Sequence, residues 1–178
     1  MTADITILPF NGIAPEIARS AFIAPGCRVI GDVRIGADSS IWYNCVLRGD
    51  VNAISIGART NIQDGSIVHV TGTSHPTVIG DDVLIGHLAI IHGCALHNHA
   101  FIGMGAMVMD GCEVEPDGML AAGAMLTPGK RIPAAQLWAG RPARYVRDLT
   151  VDQVMRQRAA IAHYVECARA HREALRQP

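Results

Sequence analysis

Three of the eight histidines in this 178-residue chain stand where their chemistry could be combined. His69 directly follows Val68, and His92 directly follows Ile91; both aliphatics belong to a run in which Ile, Val or Leu recurs at every sixth position. The two imidazoles therefore occupy one slot in successive units of a repeat. If those units stack as neighbouring strands, they lie about 4.7–4.9 Å apart, close enough for two imidazoles to hold one metal ion. His87 is two residues past Ile85, beside a different member of the run. Within one chain it does not easily reach the pair, so the spacing predicts a metal site shared between chains. Three neutral imidazoles leave one position open on tetrahedral zinc, as a catalytic site requires. Zinc there would lower the pKa of a bound water to about 7 and supply hydroxide as a nucleophile.

Polar residues cluster around the same slots. Arg48 follows Leu47 and takes the place of His69 one unit earlier, with Asp50 two residues on. Gln63 and Asp64 follow Ile62, which puts Asp64 under His87, where it can orient that imidazole or pair with an arginine across an interface. Arg48 and Asp50 read equally as an interface ion pair and as direct participants in the site. His75 lies in an insertion and reads equally as solvated and as part of the rim. His97, His99, His163 and His171 are expected to be solvated surface residues, and Asp81-Asp82 an ordinary turn.

The element that must position these groups is the repeat itself. Leu96, Ile102, Val108, Val114, Leu120, Leu126 and Ile132 keep a strict spacing of six, as do Ile23, Val29, Ile35, Ile41 and Leu47, then Ile56, Ile62 and Val68, then Ile79, Ile85 and Ile91. Glycine often follows, as at Gly36, Gly57, Gly80, Gly86 and Gly103. A period of six is neither the helical 3.6 nor simple strand alternation. It predicts a mainly β fold, a parallel β-helix in which each hexapeptide supplies one short strand and one corner and three complete a triangular coil. Coils then read Ile35/Ile41/Leu47, Ile56/Ile62/Val68 and Ile79/Ile85/Ile91, defining a first, second and third face. Threefold assembly of such prisms would bring His87 of one chain to the histidine pair of another. Three extra residues around Gly49-Asp50-Val51, and five in Gly72-Thr73-Ser74-His75-Pro76, are expected to leave the same edge as loops. From about Thr150 the glycines and prolines cease, and Thr150 with Gln153 fits a capping box. The expected organisation is a β-helix with its lead-in and exit over 1–148 and a C-terminal α-helix over 149–178, its packed face carrying Val154, Ile161, Val165 and Ala168.

Composition agrees with a repetitive core. Hydrophobic residues make up 49% but aromatics only 4%, so few rings are available to fill irregular space. A formal net charge of −1 leaves no electrostatic footprint for nucleic acid. No apolar run approaches the roughly 18–20 residues of a membrane span, and the N-terminus does not read as a signal peptide. The five cysteines are odd in number and never in a CxxC spacing, which predicts free thiols and a cytoplasmic setting.

At these residues the chain resembles the gamma-class carbonic anhydrase family of hexapeptide-repeat proteins. The resemblance runs from Phe22 into the C-terminal helix and rests on Trp42-Tyr43-Asn44-Cys45-Val46-Leu47-Arg48-Gly49-Asp50, on Asn61-Ile62-Gln63-Asp64 followed by His69, and on Gly86-His87 with Ile91-His92-Gly93-Cys94. It implies a left-handed parallel β-helix and a homotrimer with zinc, or ferrous iron or cobalt, at each interface. His69 and His92 would be ligands from one chain and His87 from the next. Arg48, Asp50 and Asp64 match residues of subunit-bridging ion pairs that shape the site. Gln63 matches a residue that hydrogen-bonds metal-bound water or bicarbonate, Asn61 one near bound anion, and Tyr164 a tyrosine that reaches the site from the helix. The implied activity is a lyase reaction, reversible hydration of CO2 to bicarbonate by metal-bound hydroxide. One departure stands out: the insertion Thr71–Pro76 has no carboxylate, whereas active members carry a glutamate-bearing loop that shuttles protons. Rival readings are an acyl-CoA thioesterase using the same metal, a hexapeptide acyltransferase with one general-base histidine, and a non-catalytic trimeric scaffold locked by metal.

Overall fold

The computed structural model describes residues 4–176; the outermost ends of the two expected segments, 1–3 and 177–178, lie outside the described residues. The period of six becomes a parallel β-solenoid of about seven turns with one C-terminal helix. Most strands are only two or three residues long, because a hexapeptide must also supply a corner. The register matches like with like. Ile35, Ile56, Ile79, Leu96, Val114 and Ile132 pair in sequence down the first face. Ile23, Ile41, Ile62, Ile85, Ile102 and Leu120 do so down the second, and Val29, Leu47, Val68, Ile91, Val108 and Leu126 down the third. The largest fully buried side chains are all Ile or Leu. Aromatic rings are scarce because an interior of stacked equivalents leaves them no irregular space.

Corners need a second device. Each turns backbone carbonyls toward the next coil, and a buried carbonyl without a donor is costly. Small hydroxyls and thiols supply the donors: Ser39 Oγ to Gly57 O (2.6 Å), Thr60 Oγ1 to Gly80 O (2.7 Å), Ser66 Oγ to Gly86 O (3.1 Å), Cys27 Sγ to Trp42 O (2.9 Å), Cys45 Sγ to Gln63 O (3.1 Å) and Cys112 Sγ to Thr127 O (3.1 Å). All five cysteines are free, and burial pushes the Cys94 and Cys112 thiols up, which keeps them protonated. Glycine after the inward aliphatic lets corner backbones stack directly; a Cβ on Gly36 would lie 2.5 Å from the carbonyl of Gly57.

The two insertions behave differently. The expected loop around Gly49-Asp50-Val51 does not form. Val46–Ile56 is one strand of 11 residues that passes the corner alongside Arg28–Ile35. Its extra residues are absorbed where the register jumps, Gly31 opposing Gly49 but Val33 opposing Ile54. Two long partners turning a corner together can keep their hydrogen bonds by bulging, and this joins the first and third faces into one 12-stranded sheet, while the second face forms an 8-stranded sheet. The second insertion does leave the wall, as a turn closed by an antiparallel bridge between Thr71 and His75. Both lie at one edge, lining a common hollow through Asp50, Asn52, Gly72 and Thr73.

After the last coil, Gln136–Ala139 pairs antiparallel with Arg144–Asp148 and the chain enters the helix Val151–Ala174. The Thr150 capping box forms as expected. The helix crosses the second face, burying Ile161 and Ala168, with Val154 and Val165 half-buried, and also Gln157, whose Nε2 donates to His99 O at 2.5 Å. Here irregular space exists and rings fill it. Phe22, Trp42 and Tyr43 gather around His171, and Tyr164 stands edge-on to Trp42. His171 is exposed, as expected, with its Nδ1 2.9 Å from Tyr43 Oη and its ring edge-on to Trp42.

Ile102 is fully buried in the second-face column. Replacing it with Ala should lower unfolding free energy by about 2–5 kcal/mol, read as a shift in the denaturant midpoint with an unchanged slope.

Candidate metal centre

His69 and His92 are direct cross-strand partners on the third face. Their Nδ1 and Nε2 atoms, respectively, face each other at 3.0 Å. Each outer nitrogen meets a carboxylate: His69 Nε2 lies 3.0 Å from Asp50 Oδ1, and His92 Nδ1 lies 2.6 Å from Asp110 Oδ1. Arg48 pairs with the other oxygen of Asp50, and Thr71 Oγ1 donates to the other oxygen of Asp110 at 2.8 Å. Burial alone would push both carboxyls up, but hydrogen bonds from His69 and Arg48 hold Asp50 below its ordinary range, and those from His92 and Thr71 do the same for Asp110. The strand position of His69 is further tied by Thr77 Oγ1, which donates to its carbonyl at 2.6 Å.

These contacts favour one neutral tautomer of each ring. An ionised carboxylate only accepts, so the nitrogen facing it must carry the proton. In neutral rings, His69 Nδ1 and His92 Nε2 are then both bare. Two lone pairs converge across 3.0 Å, an arrangement that calls for a cation between them. Two imidazole nitrogens on a tetrahedral zinc at 2.0–2.1 Å stand about 3.3 Å apart, and a carboxylate behind each ring is the usual support for such ligands. The residues present fit a divalent metal.

The other expected residues gather elsewhere. On the second face, His87 Nδ1 lies 2.8 Å from Asp64 Oδ2, the stacking read from the register. His87, Gln63 and Tyr164 line one cavity of about 480 Å³ between this face and the helix. Gln63 Nε2 donates to Asn61 Oδ1 at 3.2 Å, while the buried Asn61 Nδ2 has no partner among the described residues. The structure therefore gathers the expected residues in two separate groups: His69, His92, Arg48 and Asp50 in one, and His87, Asp64, Gln63, Asn61 and Tyr164 in the other. Among the described residues no group of three His, Cys, Asp or Glu side chains comes together as a metal site within the chain.

Sequence reasoning missed Asp110 and Thr71. Asp110 is two residues past Val108, which pairs with Ile91. Asking which acid lies one coil beyond a histidine would have found it. His75 flanks the first group: a Cβ on Gly93 would collide with both His75 and Asp110.

Residues 14–49 match the bacterial transferase hexapeptide (six repeats) family. Gamma carbonic anhydrase 1, mitochondrial, of Arabidopsis thaliana is 51% identical over 163 residues, 89% of this chain. A carbonic anhydrase of Geobacillus kaustophilus is 43% identical over 160 residues, covering 90% of this chain and 87% of the relative. The chain belongs to the gamma carbonic anhydrase family. It spans 59% of the length of the Arabidopsis protein. Among solved structures, a hexapeptide transferase family protein from Anaplasma phagocytophilum superposes with a TM-score of 0.89 at 45% identity, covering 93% of this chain and 97% of that one.

The tautomers are directly measurable. In metal-free protein, at a pH where both rings are neutral, long-range nitrogen–proton NMR should show protons on His69 Nε2 and His92 Nδ1. Asp110→Ala should turn His92 into a mixture of tautomers and leave His69 unchanged. A wild-type His92 protonated on Nε2 would contradict the assignment.

Proposed function

We propose that this protein is a zinc-dependent carbonic anhydrase that interconverts CO2 and bicarbonate at sites shared between the subunits of a homotrimer. The observation that carries the reading is the pair of imidazole nitrogens converging at 3.0 Å, each ring backed by a carboxylate. His69 and His92 supply two ligands and His87 of the partner subunit the third, leaving one position open. Ferrous iron and cobalt suit the same donors. When bound, the metal acidifies water and so supplies a nucleophile near neutral pH.

The chain's own groups do the remaining work. Asp50, Asp110 and Asp64 each hold one imidazole in the tautomer that presents a lone pair. Arg48 keeps Asp50 ionised and in place. Gln63 projects into the cavity with His87 and is steadied by Asn61; its free amide proton can bind a bicarbonate oxygen. The Tyr164 hydroxyl reaches the same space from the helix. Protons must leave past the Thr71–Pro76 turn, which has no carboxylate, so His75 and external buffer are the carriers. An acyltransferase needs one general-base histidine, and paired rings with two carboxylate supports exceed that need. The five free thiols suit a reducing compartment such as the cytoplasm; no helix among the described residues is long and apolar enough to cross a membrane.

Stopped-flow CO2 hydration by anaerobically purified protein, loaded with zinc, cobalt or iron, tests the reading. Activity should rise with added imidazole buffer, because export of the proton limits turnover. His87→Ala should lose both metal and activity while keeping the β-sheet circular dichroism. Full metal affinity in a monomer, or in His87→Ala, would sink the shared site.

A further inference from the structure

The cavity beside His87 is much larger than CO2 or bicarbonate requires. Its floor comes from the second face, where outward side chains alternate in size. Leu84, Phe101 and Met119 pair in one row, each just before an inward aliphatic. The row just after the aliphatic holds Gly86, Gly103 and Ala121, all lining the cavity. The small row opens a trench along the solenoid axis, and Ala160 and Tyr164 of the helix border it. Gln63 and His87 lie at one end, while the trench continues past Phe101 and Met119 to Leu137, on successive coils about 4.8 Å apart. Apart from Gln63, His87 and Tyr164 its lining side chains are apolar. Met104, itself 58% exposed, borders the trench, and methionine adapts its shape to a bound apolar group.

At about 480 Å³, the cavity has roughly three times the 150 Å³ that suffices to bind benzene. We infer that it is a binding site for medium-chain monocarboxylates, with a saturated chain of about six to eight carbons lying along the trench. Bicarbonate is itself a carboxylate, with a hydroxyl where a fatty acid has its alkyl chain. The two therefore present the same head to Gln63 and His87, and only the alkyl acid uses the apolar floor. The inference rests on the reading of the His87 end as the carboxylate-binding end of the site.

Calorimetric titration of the native oligomer with acetate, butanoate, hexanoate, octanoate and decanoate tests it. Affinity should rise about fourfold per methylene until the trench is filled, then level off. Ala160→Leu, which fills the trench, should end the rise at a shorter chain; Leu137→Ala, which opens its far end, should end the rise at a longer one. Both variants should keep wild-type metal content. Affinity independent of chain length, or a series that neither variant moves, would overturn the inference. The metal reading fails separately: a chain-length series that persists in metal-free His69→Ala supports the trench whatever the metal does, whereas full metal occupancy with a flat series removes the trench and leaves the metal centre.

Discussion

Each inward aliphatic of the solenoid rests on its equivalent in the next coil, and that register governs every other position in the molecule. Stacking Ile on Ile or Val on Leu buries a methyl surface against a copy of itself, so the spacing between coils is set by the parallel strand and hardly varies. A side chain one residue past such an aliphatic is therefore delivered to the same place, coil after coil. His69 and His92 meet because Val68 and Ile91 do. Where the interior would otherwise leave carbonyls bare, hydroxyls and thiols at the corners bridge to the next coil, and the cysteines belong to this framework rather than to the chemistry.

The functional groups are arranged by charge. The third face presents two imidazoles whose outer nitrogens are occupied by Asp50 and Asp110, which leaves their inner nitrogens turned on each other. Such a pair is poorly satisfied by itself and well satisfied by a cation. The second face presents one imidazole with its own carboxylate, a glutamine, and an apolar trench under the helix. Each group lacks what the other has, and this complementarity is the physical ground on which the proposed shared site rests. The Thr71–Pro76 turn beside the first group carries no carboxylate.

Much of this was legible in the order of residues. A strict spacing of six admits one repetitive solution, so the inward columns, the pairing of His69 with His92 and the placement of Asp64 under His87 all follow from counting. Counting fails where the period breaks. Three extra residues at Gly49–Val51 look like a loop, yet Val46–Ile56 remains hydrogen-bonded to its neighbour around the corner. Asp110 escaped notice because its partner lies 18 residues back. The contacts of the exposed His171 come from the sheet beneath its helix.

The sequence by itself determined the prism, its three faces and the slot of each candidate ligand, because a period repeated this often leaves a single way to bury its aliphatics. Only the tertiary structure decided the tautomers of the paired histidines, the separation of His87 from them, and the trench beneath the helix. Those depend on atoms brought together from different coils and from the helix, at distances that no local pattern encodes.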